Sequence, residues 1–497
     1  MNRELKQAYE NICGGKEIRA GLIALKNLLK EEDNQRALAY QLGGDFTVLT
    51  DCLSNADAKV RKNAALVLGA MESDDLVPVL LEAYQKETTL FVKSAYLKAL
   101  EGCDYEAELP YLKGRLQELD AMEQTEENRK HLVEEAGILQ QLISKMEKRR
   151  KHTFSGYDRQ VEVILLTNRE QREATRAQIK EEKVAMLAGG MRFFTYDLEG
   201  IQKIRTYREL LFPIKGIKSV SGTPWEIAQK LAGSILEQLK SLHEERSPFY
   251  FRTELKSPLA PEKKAAWVKN FSSAMEKGSG RELLNDPSDY EVEIRLIEGK
   301  DGSYVPLLKL FTLKDVRFSY RKEVIAASMA PDRAALLVEL AGPWLKEGAQ
   351  VLDPFCGVGT FLIERARKLP ADPLYGLDIF EEAVLKARVN AERAGLPIHY
   401  VNRDIRDFKH DYLFDEIISD LPLTGKNRNL YEVKSLYEAF LRRIPELLKK
   451  EGMLFLYTSE ESALKSCLKE HGELKVVKEF LIQKNTNSRF YIIQYMG

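Results

Sequence analysis

Asp353, Asp378, Asp404 and Asp420 each follow an apolar run in the last third of this 497-residue chain. Residues 349–363 read AQVLDPFCGVGTFLI: a strand pattern ending at Asp353, a loop with Gly357 and Gly359, and a helix opening near Thr360. Glycines let a backbone approach a ligand closely, and a helix N-terminus offers unpaired N–H groups to it. Residues 373–378 (PLYGLD) predict a second strand ending in an acid. A third, 397–402, runs into Arg403-Asp404, and a fourth, 414–419, into Asp420-Leu421-Pro422-Leu423. An acid at the end of the second strand of a doubly wound sheet can accept both hydroxyls of a ribose, and open α/β sheets bind ligands at the carboxyl ends of their strands. A carboxylate after the third strand can accept from an adenine amino group. Any one of these acids alone reads as a helix cap or surface residue; four in register predict a nucleotide-cofactor cleft.

The loop chemistry narrows the cofactor. Dinucleotide folds prefer GxGxxG, whereas this loop reads DPFCGVGT, and the phosphate-loop pattern GxxxxGK[ST] does not occur. The five cysteines are odd in number and far apart, with no CxxC pair, which excludes a disulfide framework and a zinc site. Cys356 reads as packing, since no second cysteine motif accompanies it. The longest apolar stretches fall short of a membrane span, and MNRELKQAYE has no signal-peptide core. The expectation is a soluble, reduced, cytoplasmic, multidomain protein without membrane or metal.

The DPFCGVGT loop, with FSYRKEVIAASMAPDRAALLVELA (318–341) just upstream, resembles the THUMP-containing RNA guanine-N2-methyltransferases, a group of class I enzymes. That resemblance implies a Rossmann-like α/β domain over 321–497 and S-adenosyl-L-methionine as cofactor. It implies that Asp353, Phe355, Gly357, Gly359 and Thr360 surround the methionine end, with Ser328 to Pro331 closing it. Asp378 would hold the ribose, Asp404 the adenine, and Ile379 and Ile405 would flank the ring. Asp420 borders both cofactor and target. An exocyclic amine is a weak nucleophile because its lone pair is delocalised into the ring. A carboxylate and a backbone carbonyl can bind its two hydrogens and aim that lone pair, so that positioning does much of the work. Asp420 is the side-chain acceptor on this reading, a carbonyl in Leu421-Pro422 the second, and Pro422 keeps the loop stiff. The family's motif ends in an aromatic that stacks on the base; here Leu423 stands there, followed by Thr424-Gly425-Lys426, with Tyr431 and Tyr437 as nearby substitutes.

Two regions precede this one. Within residues 55–110, Val60 and Val92, and Pro78 and Pro110, lie 32 positions apart, with apolar residues at helical spacing between them. This resembles a HEAT-type array over 1–150, extending back through 18–29, with 115–150 continuing as charged helix to a boundary at Lys148, Arg149, Arg150 and Lys151. Over 151–320 strand and helix alternate: strands at 161–166, 191–197 and 211–220, and helices at 171–187, 198–210, 224–242 and 263–276. The order VEVILLTNREQREA (161–174), RTYRELLFPI (205–214), NDPSDYEVEIRLIEG (285–299) resembles an α+β pair, a ferredoxin-like domain over 151–245 and a THUMP domain over 246–320, which in that family grips structured RNA. Charge fits: 1–150 carries 21 Lys+Arg against 26 Asp+Glu, 151–320 carries 28 against 24, and 321–497 is balanced at 26 each. The middle is where a polyanion would dock. The function implied is methylation of guanine N2 in tRNA, or in rRNA, with a protein partner on the repeats. Adenine-N6 methylation of DNA or RNA, and a non-catalytic RNA-binding scaffold, stand as alternatives.

Overall fold

Proline placement and recurring apolar positions shape the N-terminal part of the chain. Helix Ala58–Gly69 buries Val60, Ala64, Ala65, Val67 and Leu68 on one stripe, and Leu90–Ala99 repeats the arrangement with Val92, Ala95, Tyr96, Leu97 and Ala99. In each unit a single 3-10 turn, Asp74–Leu76 or Glu106–Glu108, leads into the second helix, Val77–Lys86 or Leu109–Ala121, with Pro78 or Pro110 in its first turn. Proline is tolerated there because the first-turn N–H groups have no partner inside the helix. A Cβ on Gly69 would sit 2.6 Å from Ala99 Cα, so equivalent helices of the two repeats cross in contact at that point. The continuous helix expected over 115–150 is interrupted. Met122 leaves helical geometry at ψ 140°, the Asn128 side chain accepts from Thr125 N (2.8 Å), and a separate helix runs Arg129–Met146.

This computed structural model describes residues 3–122, 125–146, 151–245, 248–425 and 428–497, so Lys148, Arg149, Arg150 and Lys426 lie outside the described residues. It divides into two units, Met1–Arg150 and Lys151–Gly497. No described helix is long and apolar enough to cross a membrane.

The second unit holds two sheets. The first comprises β1 (Val161–Thr167), β2 (Val184–Leu187), β3 (Gly190–Thr195), β4 (Tyr207–Pro213), β5 (Phe249–Lys256), β6 (Leu283–Asn285), β7 (Val292–Glu298) and β8 (Tyr304–Leu310), ordered β2-β3-β1-β4-β8-β7-β5-β6. Helices Pro224–Leu242 and Pro261–Gly278 pack on it to form one core. Pairing of Phe212 with Leu308 and Pro213 with Leu307 joins the segments 151–245 and 246–320 in this one sheet. Two helices are shorter than the sequence pattern suggests. Only Arg172–Arg176 is helical within 171–187, and 184–187 is a strand that turns back on β3. The helix at 198 stops at Lys203, and the next strand spans 207–213 rather than 211–220. β4 is paired on both flanks, by β1 and β8, and such non-local pairing overrides local helical spacing.

The second sheet comprises β9 (Ala349–Asp353), β10 (Ala371–Asp378), β11 (Ile398–Asn402), β12 (Phe414–Asp420), β13 (Leu448–Thr458), β14 (Leu474–Gln483) and β15 (Ser488–Tyr495). Its order is β11-β10-β9-β12-β13-β15-β14, the first five parallel, β15 antiparallel to β13, and β14 antiparallel to β15. Helices Pro331–Ala341, Thr360–Lys368 and Glu381–Ala394 cover one face, and Leu430–Leu441 and Glu461–Leu468 the other. Strand order reverses between β9 and β12, the place where open α/β sheets bind ligands. Polar contacts tie the two sheets together. Arg205 pairs with Glu364 through two 2.7 Å bonds, Tyr320 Oη donates to the same carboxylate (2.6 Å), and Asn168 and Gln171 donate to the carbonyls of Ile482 and Leu481.

Candidate active site

The cleft at the β9/β12 switch point has a volume of about 520 Å³, and all four aspartates line it. That volume suits a nucleoside-sized ligand. Asp353 is buried; its Oδ1 accepts from Ser419 Oγ (2.8 Å) and Phe355 N (3.1 Å). Burial, seconded by the nearby Asp420 and Asp378 charges, pushes its carboxyl up to about 8. Asp378 accepts from Gly357 N (3.0 Å) and Phe380 N (2.9 Å), and burial raises it as well. Asp420 ends β12 with no hydrogen-bond partner among the described residues. Burial pushes it up to about 7, against the opposing pull of the Arg333 guanidinium. Asp404 differs: Arg406 grips both its oxygens (2.6–3.1 Å) and holds it below the usual carboxylate range.

Phe355, Gly357, Thr360, Ile379, Ile405 and Pro422 also line the cleft, as do Ser328 and Met329. Ala330 and Pro331 do not; Pro331 opens the helix behind. Gly359 is likewise not part of the lining. It caps the helix Thr360–Lys368 in a left-handed conformation (φ 79°), and a Cβ there would lie 2.1 Å from Tyr400 Oη. Its glycine character answers to the loop turn and the tyrosine behind it. Cys356 is buried against Gly376 and Tyr400, and burial drives its thiol far above the ordinary range, away from nucleophilic chemistry.

The residues fit a nucleoside with a charged tail. Thr360 is 3% exposed and lines the cleft, and its buried Oγ1 has no partner among the described residues. A buried hydroxyl left unsatisfied is costly unless a ligand completes it. The free N–H groups at the start of that helix suit a carboxylate, Asp353 suits an ammonium, and Asp378 suits ribose hydroxyls. The Asp420 loop is built for rigidity. Leu421 N donates to Tyr457 O (2.9 Å), Tyr437 Oη donates to the Pro422 carbonyl (2.7 Å), and Thr424 N and Oγ1 both donate to Glu460. Of the two candidate backbone acceptors, the Pro422 carbonyl is therefore engaged, and no described donor reaches that of Leu421. Tyr437 is buried beneath the loop, and Tyr431 is 81% exposed and outside the lining, so neither takes the place of the missing aromatic.

Residues 319–488 match the family model UPF0020, described as RMKL-like, methyltransferase domain. This segment is similar to the methyltransferase domains of that family. Residues 46–125 match HEAT repeats. The tRNA (guanine(10)-N2)-dimethyltransferase of Methanothermobacter thermautotrophicus is 32% identical over 151 residues, spanning 30% of this chain and 44% of that one. The U6 snRNA (guanine-N(2))-methyltransferase THUMPD2 of Mus musculus is 33% identical over 120 residues, 24% of this chain and 22% of that one. The chain thus spans less than half the length of these curated relatives. The crystal structure of TrmN from Thermus thermophilus shares the fold, with a TM-score of 0.52 at 20% identity over 68% of this chain and 100% of that one.

Sequence reasoning missed the supports behind the methyltransferase domain's cleft. Glu364 and Arg365 lie on the helix Thr360–Lys368 that starts at the glycine loop. Both are buried, Glu364 against Arg205 and Tyr320, Arg365 against Glu416. The one available signal was their place one helical turn beyond Thr360.

Proposed function

We propose that this chain binds S-adenosyl-L-methionine in the cleft and transfers its methyl group to the exocyclic N2 amine of guanine in RNA, tRNA first and rRNA second. Asp420 carries the reading: a carboxylate at the end of β12, without a partner of its own among the described residues, beside a free Leu421 carbonyl. The guanine-N2 activity named for the relatives and the methyltransferase match support it.

When bound, the cofactor supplies an electrophilic methyl on a sulfonium. Asp420, ionised, accepts one amine hydrogen, and the Leu421 carbonyl accepts the other. Together they aim the nitrogen lone pair into the cleft. Pro422 and the Tyr437 hydrogen bond keep that acceptor pair in place. A carboxyl near pH 7 in affinity is matched to taking up the proton the amine gives away. A base paired within a stem must be extruded to reach this loop.

The remaining assignments belong to the same proposal. Residues 151–245 and 246–320 act as ferredoxin-like and THUMP domains presenting RNA; the TrmN likeness covers more of the chain than 319–488 can fill, which supports this. Residues 1–150 offer a protein partner a helical-repeat surface, and the setting is a reducing cytoplasm, consistent with five free cysteines. Nucleoside analysis of RNA from cells lacking the chain tests the reading. Loss of N2-methylguanosine is expected; loss of an N6-methyladenosine instead, or of no nucleoside, overturns it.

A further inference from the structure

The loop after β12 lacks the aromatic that would cover one face of a target base, and the lining of the cleft shows what stands in that space. Leu423 is 41% exposed and lines the cleft, but its branched side chain offers no flat surface. Arg428 lines the same cleft and is paired through its backbone with Gly425. Gly425 N donates to Arg428 O (2.9 Å) and Arg428 N to Gly425 O (3.4 Å), so the two residues are clamped to each other. The Gly425 side of this pairing is fastened by Thr424 on Glu460. The other is fastened by Asn429, which caps the helix Leu430–Leu441 with a reciprocal Asn429–Glu432 box. The position of Arg428 is therefore set by backbone and cap, before any ligand arrives.

Among the described residues the Arg428 guanidinium makes no hydrogen bond and no ion pair, whereas Arg205, Arg317, Arg365, Arg406 and Arg443 are all engaged. It lines the cleft together with Asp378 and Asp420, and its charge acts on the ionisation of Asp378 and Tyr437. A guanidinium is planar and weakly hydrated, and it stacks on aromatic faces as a lysine ammonium cannot. Single-stranded or extruded bases are held on aromatic side chains or on such planes.

We propose that Arg428 is the base-stacking residue of this site: its guanidinium covers one face of the extruded purine while Asp420 and the Leu421 carbonyl hold the amine edge. The inference rests on the RNA methyltransferase reading above. Methyl transfer by the full chain from radiolabelled S-adenosyl-L-methionine to unfractionated tRNA tests it, with calorimetric cofactor affinity measured alongside. Arg428→Ala should lower kcat/KM for RNA by roughly 10- to 100-fold, the worth of one stacked base. Cofactor affinity should stay within about threefold, since Arg428 is placed on the base and not on the cofactor. Arg428→Tyr should restore most of the loss and Arg428→Lys should not. Restoration by Lys but not Tyr would mean a phosphate contact and overturn the stacking role, as would an unchanged Arg428→Ala enzyme. Failure of the unsubstituted chain to methylate any RNA would overturn the proposed reaction itself, and this inference with it.

Discussion

β12 carries two acids on one side of the strand, four residues apart, Glu416 buried and Asp420 partly exposed at the rim, and they meet opposite fates. Glu416, mid-strand, receives Arg365 Nε (2.7 Å) and Nη2 (2.9 Å) and the backbone N–H of Lys346 (2.7 Å). Arg365 in turn donates to the carbonyls of Leu369 and Lys346, so the buried pair is satisfied on both sides. Asp420, at the carboxyl end, has only the more distant Arg333 charge for compensation. A charge buried in mid-sheet must be neutralised by the protein itself. One at the rim can be left for a ligand to complete, and its raised proton affinity is the mark of that unfinished state.

The sharpest way to break the contrast is at Asp420. Asp420→Ala removes the side-chain acceptor, and methyl transfer should fall by about 10²–10⁴-fold, while cofactor affinity measured by calorimetry changes only a few-fold. Because the acceptor must be ionised, kcat/KM for RNA should climb as pH rises through about 7. The stability of the free protein should run the other way. Asp353 and Asp420 are raised by folding, so the native state holds more protons than the unfolded chain between about pH 4 and their native values near 8 and 7. Stability is therefore lost as pH rises across that window. Retained turnover in Asp420→Ala would remove the distinction between the two ends of the strand.

Glu416→Ala should do the reverse. It strands the Arg365 guanidinium in the sheet, and breaking a buried pair from one side costs about 3–5 kcal/mol. Denaturant unfolding should show that loss, and the surviving folded fraction should keep its affinity for cofactor. A stability change below about 1 kcal/mol would mean that water reaches this pair after all.

Asp353 sharpens the comparison from within the cleft. At about 8 its carboxyl is largely protonated at neutral pH, and a cationic group of a bound cofactor would drive that proton off. Cofactor binding at pH 7 should then release close to one proton, measured as the dependence of binding enthalpy on buffer ionisation. Asp353→Asn should bind with no such release.

The contrast also explains what could be read beforehand. Each rim acid ends an apolar run, and the left-handed Gly357 and Gly359 sit between strand and helix, so local spacing sufficed to place the cleft. The positions that depend on distant partners were opaque. Glu416 and Arg365 look like surface charges until β12 and the helix Thr360–Lys368 are brought together. The stretch 207–210 looks like the end of a helix until β1 and β8 pair with β4 from both sides. Arg205 and Asn168 lie in the segments that carried the middle region's family resemblance, yet nothing local shows that they fasten one sheet to the other.

Asp404 tests whether the contrast is graded. It is the rim acid with a cation of its own, but the pair is open to water: the Arg406 side chain is 62% exposed. An exposed ion pair contributes only about 0–1 kcal/mol, so Arg406 occupies the carboxylate without committing it. An adenine amino group arriving at Asp404 would displace that guanidinium at small cost and donate to the carboxylate in its place. Arg406→Ala should then leave unfolding free energy unchanged within about 0.5 kcal/mol and tighten cofactor binding by no more than about fivefold, in the favourable direction because the competitor is gone. Weakened binding would show that Arg406 itself contacts the ligand, and Asp404 would then belong with Glu416 among the acids the protein completes for itself.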